Sequence, residues 1–159
     1  MPRRPRHEIP GGFYHVTQRG NGGSSIFDDD DDRAFFLAML TRVVVREHWS
    51  CFVYCLMTNH YHLVIQIHEA SLSRGMRWLN GLYAQYFNQR HARCGHLFGG
   101  RYRTAIIETE QHLTKACVYV ELNPVRAGLC ADEAGWVWSS YRARNGLGAA
   151  PPFLAPHPN

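Results

Sequence analysis

Strand-like and helix-like periodicities follow one another along this chain in an order that few folds accommodate. Segments whose apolar side chains alternate like those of a strand lie at residues 13–18, 49–56, 61–67 and 101–109. Segments with helical spacing lie at residues 32–47, 72–92 and 112–122. The resulting order, β-α-β-β-α-β, predicts an α+β fold, a ferredoxin-like sheet with two helices packed on one face. The last helix would then have the opposite face of the sheet available.

Length and composition agree with a single domain. At 159 residues and 45% hydrophobic, the chain can bury one good core, and we place this domain at residues 1–145. Residues 146–159 are rich in Gly and Pro, so we expect a flexible tail that adds nothing to the core. No run of about 18 apolar residues occurs. Five scattered cysteines without a Cys-x-x-Cys pair indicate buried thiols in a reducing compartment, and hence a soluble, cytoplasmic protein.

The distribution of charge favours a phosphate-rich partner. The formal net charge is +4, but five of the 13 acids form the run Asp28–Asp32, which leaves eight against 17 basic residues. Between Glu69 and Glu108 there are six arginines and no acid. Such a surface favours nucleic acid, although a merely solvated basic face is also compatible with it. Acids are favoured at the start of a helix, so we expect the aspartate run to be an exposed helix-entry loop rather than a metal site.

Two histidines separated by one residue lie in the third predicted strand, in the sequence MTNHYHLVI at residues 57–65. Because side chains alternate across a strand, His60 and His62 share one face. The apolar residues of the segment share the other face: Tyr61, Leu63, Ile65 and Ile67. The apolar set should contact the two packing helices, which leaves the histidines on the face available to the final helix. Such a pair suits a shared metal ion, and it also suits two ordinary exposed histidines.

The final predicted helix carries polar side chains beside its apolar stripe. The stripe has the spacing i, i+3, i+4, i+7 and consists of Leu113, Ala116, Cys117 and Val120. A second row, displaced by roughly 100°, consists of His112, Lys115, Tyr119 and Asn123. Tyrosines at the edge of an apolar stripe are common, so the position of Tyr119 alone does not decide between a structural and a chemical role.

Placed over the histidine pair, this second row would complete a site. Asn123 offers an amide oxygen and Tyr119 a hydroxyl group beside the two imidazoles. The imidazoles suit Mn²⁺ or another transition metal, and the remaining open positions suit Mg²⁺ acting on a phosphate. Pro124 follows directly, and because the residue before a proline avoids helical geometry, we expect the chain to stop or bend there.

Six ordered segments of the chain resemble the single-tyrosine HUH transposases, and more narrowly the REP-associated tyrosine transposases and their insertion-sequence relatives. The segments are YHVTQRGN at 14–21, IFDDDDDRAFF at 26–36, YCLMTNHYHLVI at 54–65, LNGLYAQYFNQRHARCGHLFGGRYR at 79–103, YVELNPVRAGL at 119–129 and WSSYRA at 138–143. The resemblance implies a ferredoxin-like fold and a divalent metal, Mg²⁺ or Mn²⁺, bound by His60 and His62. It implies attack on single-stranded DNA by Tyr119, which leaves a 5′-phosphotyrosine and a free 3′-hydroxyl. Asn123 falls where related transposases have a third, polar metal ligand.

Several basic and amide side chains are candidates for contact with DNA, which we expect to be single-stranded or hairpin-containing. They are Arg19, Asn21, Asn59, Arg77, Arg101, Arg103, Lys115 and Arg126. Arginine can pair with phosphate or stack on an unpaired base. Lys115 is also a candidate to favour the deprotonated form of the tyrosine, and Arg126 is alternatively a brace for the turn after the final helix.

Two other functions remain compatible with the sequence. A ferredoxin-like nucleic-acid-binding module without catalysis, such as a domesticated regulator, would keep its affinity when divalent metal is chelated. A metal-dependent phosphoesterase would use water and release hydrolysed ends, and it would leave Tyr119 without a role. No motif in the sequence chooses between a monomer and a homodimer.

Overall fold

The computed structural model describes residues 8–158. Within this range the strands are β1 (Phe13–Arg19), β2 (Ser50–Leu56), β3 (His60–Gln66) and β4 (Arg103–Ile107). The helices are α1 (Asp30–Glu47), α2 (Leu72–Arg90), α3 (Glu110–Arg126) and the short α4 (Tyr141–Arg144). The predicted order of elements is confirmed, and each predicted segment overlaps an observed one. None of the helices in the described range is long and apolar enough to span a bilayer.

The strands form an antiparallel sheet in the order β2-β3-β1-β4. The ferredoxin-like arrangement predicted from the sequence is therefore confirmed. β1 and β3 are the central strands, and their register pairs Thr17 with His62 and Arg19 with His60. On its other side, β1 pairs Thr17 with Arg103 of β4. These pairings bring polar side chains from three strands together at one end of the sheet.

Helices cover both faces of the sheet. On one face, α1 and α2 belong to the same core as the predicted apolar set of β3, and Tyr61, Leu63, Ile65 and Ile67 are fully buried. The hydroxyl group of Tyr61 donates to Oδ1 of Asn80 in α2 at 2.6 Å, so Tyr61 serves the core. On the other face, α3 packs against β2 and β3 through the predicted stripe: Leu113, Ala116, Cys117 and Val120.

Of the stop or bend expected at Pro124, the stop does not occur. α3 continues through Pro124 to Arg126, although proline lacks the N–H that would bond to the carbonyl one turn earlier. The proline is tolerated because it lies close to the helix end, where the N–H of Ala127 donates to the carbonyl of Asn123 at 3.0 Å and closes the last turn. The continuation keeps Arg126 on the helix, seven residues after Tyr119 and on the same face.

The C-terminal segment contributes to the core, contrary to the expectation for a segment rich in Gly and Pro. Phe153 is 5% exposed, and its ring centroid lies 5.4 Å from that of Tyr54. The N–H of Ala155 donates to the carbonyl of Cys51 in β2 at 2.7 Å. β2 is an outer strand with backbone groups open along one side, so a single apolar side chain and a backbone bond can attach the segment there. The boundary at residue 145 stays a prediction.

The aspartate run begins α1 as predicted, but it is not uniformly exposed. Asp29 is the N-cap residue, and its carboxylate accepts from the N–H of Asp32 at 3.0 Å. Asp32 is fully buried, and its carboxylate is reached by Arg90 at 2.7 Å and by His91 at 2.9 Å. The buried charge is therefore compensated from α2, and the run ties the start of α1 to the end of α2.

Candidate active site

His60 and His62 lie at the start of β3, on the face of the sheet that α3 covers. Their ring centroids are 5.0 Å apart and the rings are nearly perpendicular, at 80°. His62 is buried, whereas His60 is half-buried at the edge of the site. The alternation of the strand therefore places both imidazoles on the predicted face, one deeper than the other.

The ring of His62 is held by polar side chains from the neighbouring strand β1. Its Nδ1 lies 2.9 Å from Nε2 of His15 and 3.3 Å from Oγ1 of Thr17. Its Nε2 is buried and has no hydrogen-bond partner in the described part of the chain. Burial, together with nearby His15, His60 and Arg19, lowers the pKa of His62 to about 3. The ring is therefore neutral at physiological pH, which is the form that binds a metal ion.

His60 connects the histidine pair to α3. Its Nδ1 lies 2.7 Å from Oδ1 of Asn59, so the ring donates this N–H to the amide carbonyl. Burial lowers the pKa of His60, and a hydrogen bond with the side chain of Asn123 partly offsets this effect. Asn123 of α3 therefore lies within reach of His60, whose ring adjoins that of His62.

Tyr119 projects from the exposed side of α3 beside the histidines. Its side chain is 44% exposed, and its ring lies edge-on to His15 and His62, with centroid distances of 5.9 and 6.0 Å. The guanidinium group of Arg126 lies over the ring, with its Cζ 4.4 Å from the centroid. This cation–π contact steadies the ring, so Tyr119 is held in place while it remains accessible from solvent.

The donor set around the histidines fits a divalent metal. Nε2 of His62 is a buried nitrogen without a hydrogen-bond partner among residues 8–158. His60 and Asn123 add a second imidazole and an amide oxygen next to it. Two nitrogens and one oxygen suit Mn²⁺ or a similar ion, and three protein ligands leave positions open for oxygen atoms of a substrate.

A second group of possible ligands lies elsewhere. Ligand atoms of Asp28, Asp32 and His91 are within 4.8 Å of one another. Arg90 already pairs with the buried carboxylate of Asp32, which favours a structural role for the group. It joins α1 to α2, and these helices cover the opposite face of the sheet from α3, so this group does not face Tyr119.

Half of the predicted DNA-contacting residues line one groove beside the histidines. The groove has a volume of about 400 Å³, and the turn after β1 forms one of its walls. Its predicted members are Arg19, Asn21, Arg101 and Arg103. Arg77 lines a neighbouring pocket that it shares with Arg101. Arginines that are separated in sequence therefore line two adjoining pockets that share Arg101.

Two of the remaining predicted contacts lie beside Tyr119. Lys115 and Arg126 line a second groove, of about 660 Å³, together with Tyr119, and the guanidinium group of Arg126 contacts the ring of Tyr119. The third, Asn59, makes local hydrogen bonds: its Nδ2 donates to the carbonyl of Gly23 at 3.3 Å and its Oδ1 accepts from His60.

His15 contacts both His62 and Tyr119, and it was not among the residues predicted from the sequence. A signal for it was present, because the sequence FYHVTQR alternates, with buried residues at every second position of β1. His15, Thr17 and Arg19 occupy the other positions and so share one face. The missing information was the register of β1 against β3, which pairs Thr17 with His62 and His15 with Val64 and which the alternation of either strand does not reveal.

Acid is expected to destabilise the fold through His62. Its pKa is lowered from 6.5 to about 3 on folding, so between these values only the unfolded chain binds the proton. The contribution of neutral His62 is therefore complete above pH 6.5 and is lost progressively as the pH falls toward 3. At about pH 5 the loss is about 2 kcal/mol.

Urea unfolding at about pH 7.5 and pH 5 measures this loss. A His62→Gln variant lacks the titrating group, so its free energy of unfolding should fall by about 2 kcal/mol less than that of the wild type over this interval. Equal losses in the two proteins would show that folding does not suppress protonation of His62.

The fold and the site can be set beside known proteins. The family described as "Transposase IS200 like" matches residues 11–123, more than half of the chain. No curated protein matches the sequence. Among solved structures, the chain is similar to a REP-associated tyrosine transposase bound to a REP hairpin, with a TM-score of 0.77 and 16% identity over 99% of this chain and 93% of that chain.

Two further structures share the fold at lower similarity. A protein of Deinococcus radiodurans R1 assigned as a transposase has a TM-score of 0.52 and 13% identity, over 76% of this chain and 96% of that chain. A tRNA(His) guanylyltransferase of Saccharomyces cerevisiae has a TM-score of 0.51 and 12% identity, over 77% of this chain and 62% of that chain. At these identities the likeness is one of fold. The match to the family over most of the sequence shows more, and the chain belongs to the IS200-like transposases, a family of DNA-cleaving enzymes.

Proposed function

We propose that this chain cuts and rejoins single-stranded DNA through a covalent bond between Tyr119 and a 5′ phosphate, with the help of a divalent metal. The observation that carries the proposal is the placement of an accessible tyrosine edge-on to His62, whose buried Nε2 has no protein partner in the described residues. A nucleophile and a ligand nitrogen thus lie side by side. Neither feature has an evident structural purpose.

Tyr119 supplies the nucleophile in this proposal. Its hydroxyl oxygen loses a proton and bonds to phosphorus, the bond from phosphorus to the 3′ oxygen breaks, and the released oxygen takes up a proton to give a free 3′-hydroxyl. The phosphodiester energy is retained in the phosphotyrosine, so the 3′-hydroxyl of another strand can reverse the step without ATP. Arg126 orients the ring through its cation–π contact and adds positive charge beside the reacting group.

His60, His62 and Asn123 are the residues that would hold the metal, either Mg²⁺ or Mn²⁺. Both imidazoles have a lowered pKa, primarily because they are buried. At neutral pH a proton therefore does not compete with a metal ion for their nitrogens. A bound ion supplies stabilisation of the negative charge on the non-bridging oxygens of the phosphate. His15 and Thr17 support the ring of His62 from its Nδ1 side.

The first groove is suited to guide a DNA strand toward the site. The register of the sheet pairs Arg19 with His60 and places Arg103 opposite Thr17, so the cations of the groove adjoin the ligand histidines. Gly22 and Gly23 adopt positive φ in the turn, and a Cβ atom at either position would meet nothing within 4 Å. A phosphate can therefore approach this backbone closely. The similarity to a transposase bound to a REP hairpin supports hairpin-containing DNA as the substrate.

An Arg103→Ala variant is expected to bind single-stranded DNA more weakly, and about equally so for different sequences, because arginine at this position neutralises backbone phosphate. Loss of one phosphate contact should reduce the slope of log K against log salt by about 0.7. Fluorescence anisotropy at several salt concentrations measures the slope. Arg42→Ala is the matched control, since Arg42 is exposed on α1. An unchanged slope for the Arg103 variant would remove this residue from the DNA path.

The direct test is to incubate the protein with single-stranded hairpin DNA and Mg²⁺ or Mn²⁺, and to resolve the products on a denaturing gel. A band of DNA linked to protein, mapped to Tyr119 by mass spectrometry, is expected. Hydrolysed ends without a linked species would favour the phosphoesterase that uses water. Binding that yields neither cut nor linked DNA in the presence of Mg²⁺ or Mn²⁺ would favour the non-catalytic module.

A further inference from the structure

The protonation of the two nitrogens of His62 is determined by its surroundings. A neutral imidazole carries one proton, on either Nδ1 or Nε2. A proton on Nε2 would be a buried donor without a partner among the described residues, at a cost of about 1–3 kcal/mol. A proton on Nδ1 can be donated to Nε2 of His15 at 2.9 Å. The second arrangement satisfies the donor and leaves the lone pair of Nε2 free.

We propose that His15 is a positioning residue, which accepts the Nδ1 proton of His62 and thereby directs the lone pair of His62 Nε2 toward the metal. The inference rests on the metal site proposed above and assigns a role to a residue outside the ligand set. Metal-binding histidines generally donate their second nitrogen to an acceptor, and loss of that acceptor weakens metal binding about 10- to 100-fold.

His15 is better placed for this role than the other neighbour of His62. Oγ1 of Thr17 is 3.3 Å from Nδ1, whereas Nε2 of His15 is 2.9 Å away. The rings of His15 and His62 also stack, with centroids 5.2 Å apart and an interplanar angle of 29°. His15 lies on the central strand β1, so its position is set by pairing with both β3 and β4. Thr17 is then a weaker, secondary acceptor.

His15 also contacts the nucleophile. The edge of its ring lies against Tyr119, with centroids 5.9 Å apart. One side chain of β1 thus touches both a ligand and the attacking group. A substitution of His15 that keeps an aromatic ring but removes the acceptor would keep the contact with Tyr119 and remove the hydrogen bond to His62.

Calorimetric titration of the metal-free protein with Mn²⁺ alone tests the acceptor. His15→Phe keeps a ring against His62 and Tyr119 but cannot accept a proton, so it should bind Mn²⁺ about 10- to 100-fold more weakly. His15→Gln offers an amide oxygen at a similar reach and should stay within about threefold of the wild type. Thr17→Val should have a smaller effect than His15→Phe. If ring packing were the role of His15, the Phe variant would bind normally and the Gln variant weakly, which would overturn the proposal.

A second measurement needs neither a variant nor a metal. Nitrogen-15 NMR of the histidine rings in the metal-free wild type reports which nitrogen of His62 carries the proton. The Nδ1-protonated form is expected, and an Nε2-protonated form would overturn the proposal. Failure of this proposal is distinguishable from failure of the proposed function. Mn²⁺ binding that depends on His60 and His62 but is unchanged by His15→Phe would rule out only the positioning role. A wild type that binds no Mn²⁺ removes the metal site and this role together.

Discussion

A Tyr119→Phe variant is expected to form no covalent adduct with hairpin DNA and to cleave it roughly 10⁴-fold or more slowly than the wild type, because the attacking oxygen is gone. DNA binding should persist. The phenyl ring retains the contacts with His15, His62 and Arg126, and the arginine-lined groove is untouched. Adduct formation on a denaturing gel and binding by anisotropy measure the two properties separately.

Tyr86→Phe is the matched control for the loss of a tyrosine hydroxyl. Tyr86 lies on α2, on the opposite side of the sheet from α3, and within the described range its hydroxyl makes only a long contact of 3.5 Å with the carbonyl of Asp31. This variant should form the adduct at the rate of the wild type. An adduct that survives in the Tyr119 variant, or that maps to another side chain, would overturn the assignment of the nucleophile.

Replacing His60 and His62 together with alanine is expected to abolish metal-dependent cleavage. Stabilisation of the phosphate charge by a bound ion accounts for several kcal/mol, so the loss in rate should be about 10³-fold. Mn²⁺ binding measured by calorimetry should disappear in the same variant. The arginine-lined groove remains, and DNA should therefore still bind when the metal is chelated.

Two other histidines provide the controls for this prediction. His68 follows the far end of β3, is exposed and contacts Oγ of Ser50 at 3.1 Å, so His68→Ala should cleave normally. His91 belongs to the aspartate group beside α1. If His91→Gln lost metal-dependent cleavage while the double variant of His60 and His62 kept it, the catalytic ion would lie at the second group instead.

Local periodicity predicted much of the site, because the face to which a side chain points is a local property of a strand or helix. The period of two in β3 placed His60 and His62 opposite the buried Tyr61, and helical spacing placed Tyr119 off the apolar stripe of α3. Both predictions depend on residues within one element. Interactions at element ends were less predictable: Pro124 was expected to stop the helix, yet bonds of the following turn carry α3 on to Arg126.

Burial was also predicted incorrectly for two residues that contact a segment distant in sequence. Asp32 was expected in an exposed loop, but at the far helix end Arg90 pairs with its carboxylate and His91 contacts it, which allows it to be buried. Phe153 was assigned to a segment outside the core, but the open side of β2 accepts it. In both cases the partner lies far away in sequence, so the composition of the chain near the residue does not indicate it.

The sequence by itself determined the order of elements, the face on which each proposed ligand and the tyrosine lie, and the membership of the family. The tertiary structure alone decided which side chains meet on that face. His15 hydrogen-bonds to His62 across 47 positions of sequence, because β1 and β3 are neighbours in a fixed antiparallel register. Alternation specifies the side of a strand to which a residue points. The register between two strands depends on packing of the whole sheet between its helices.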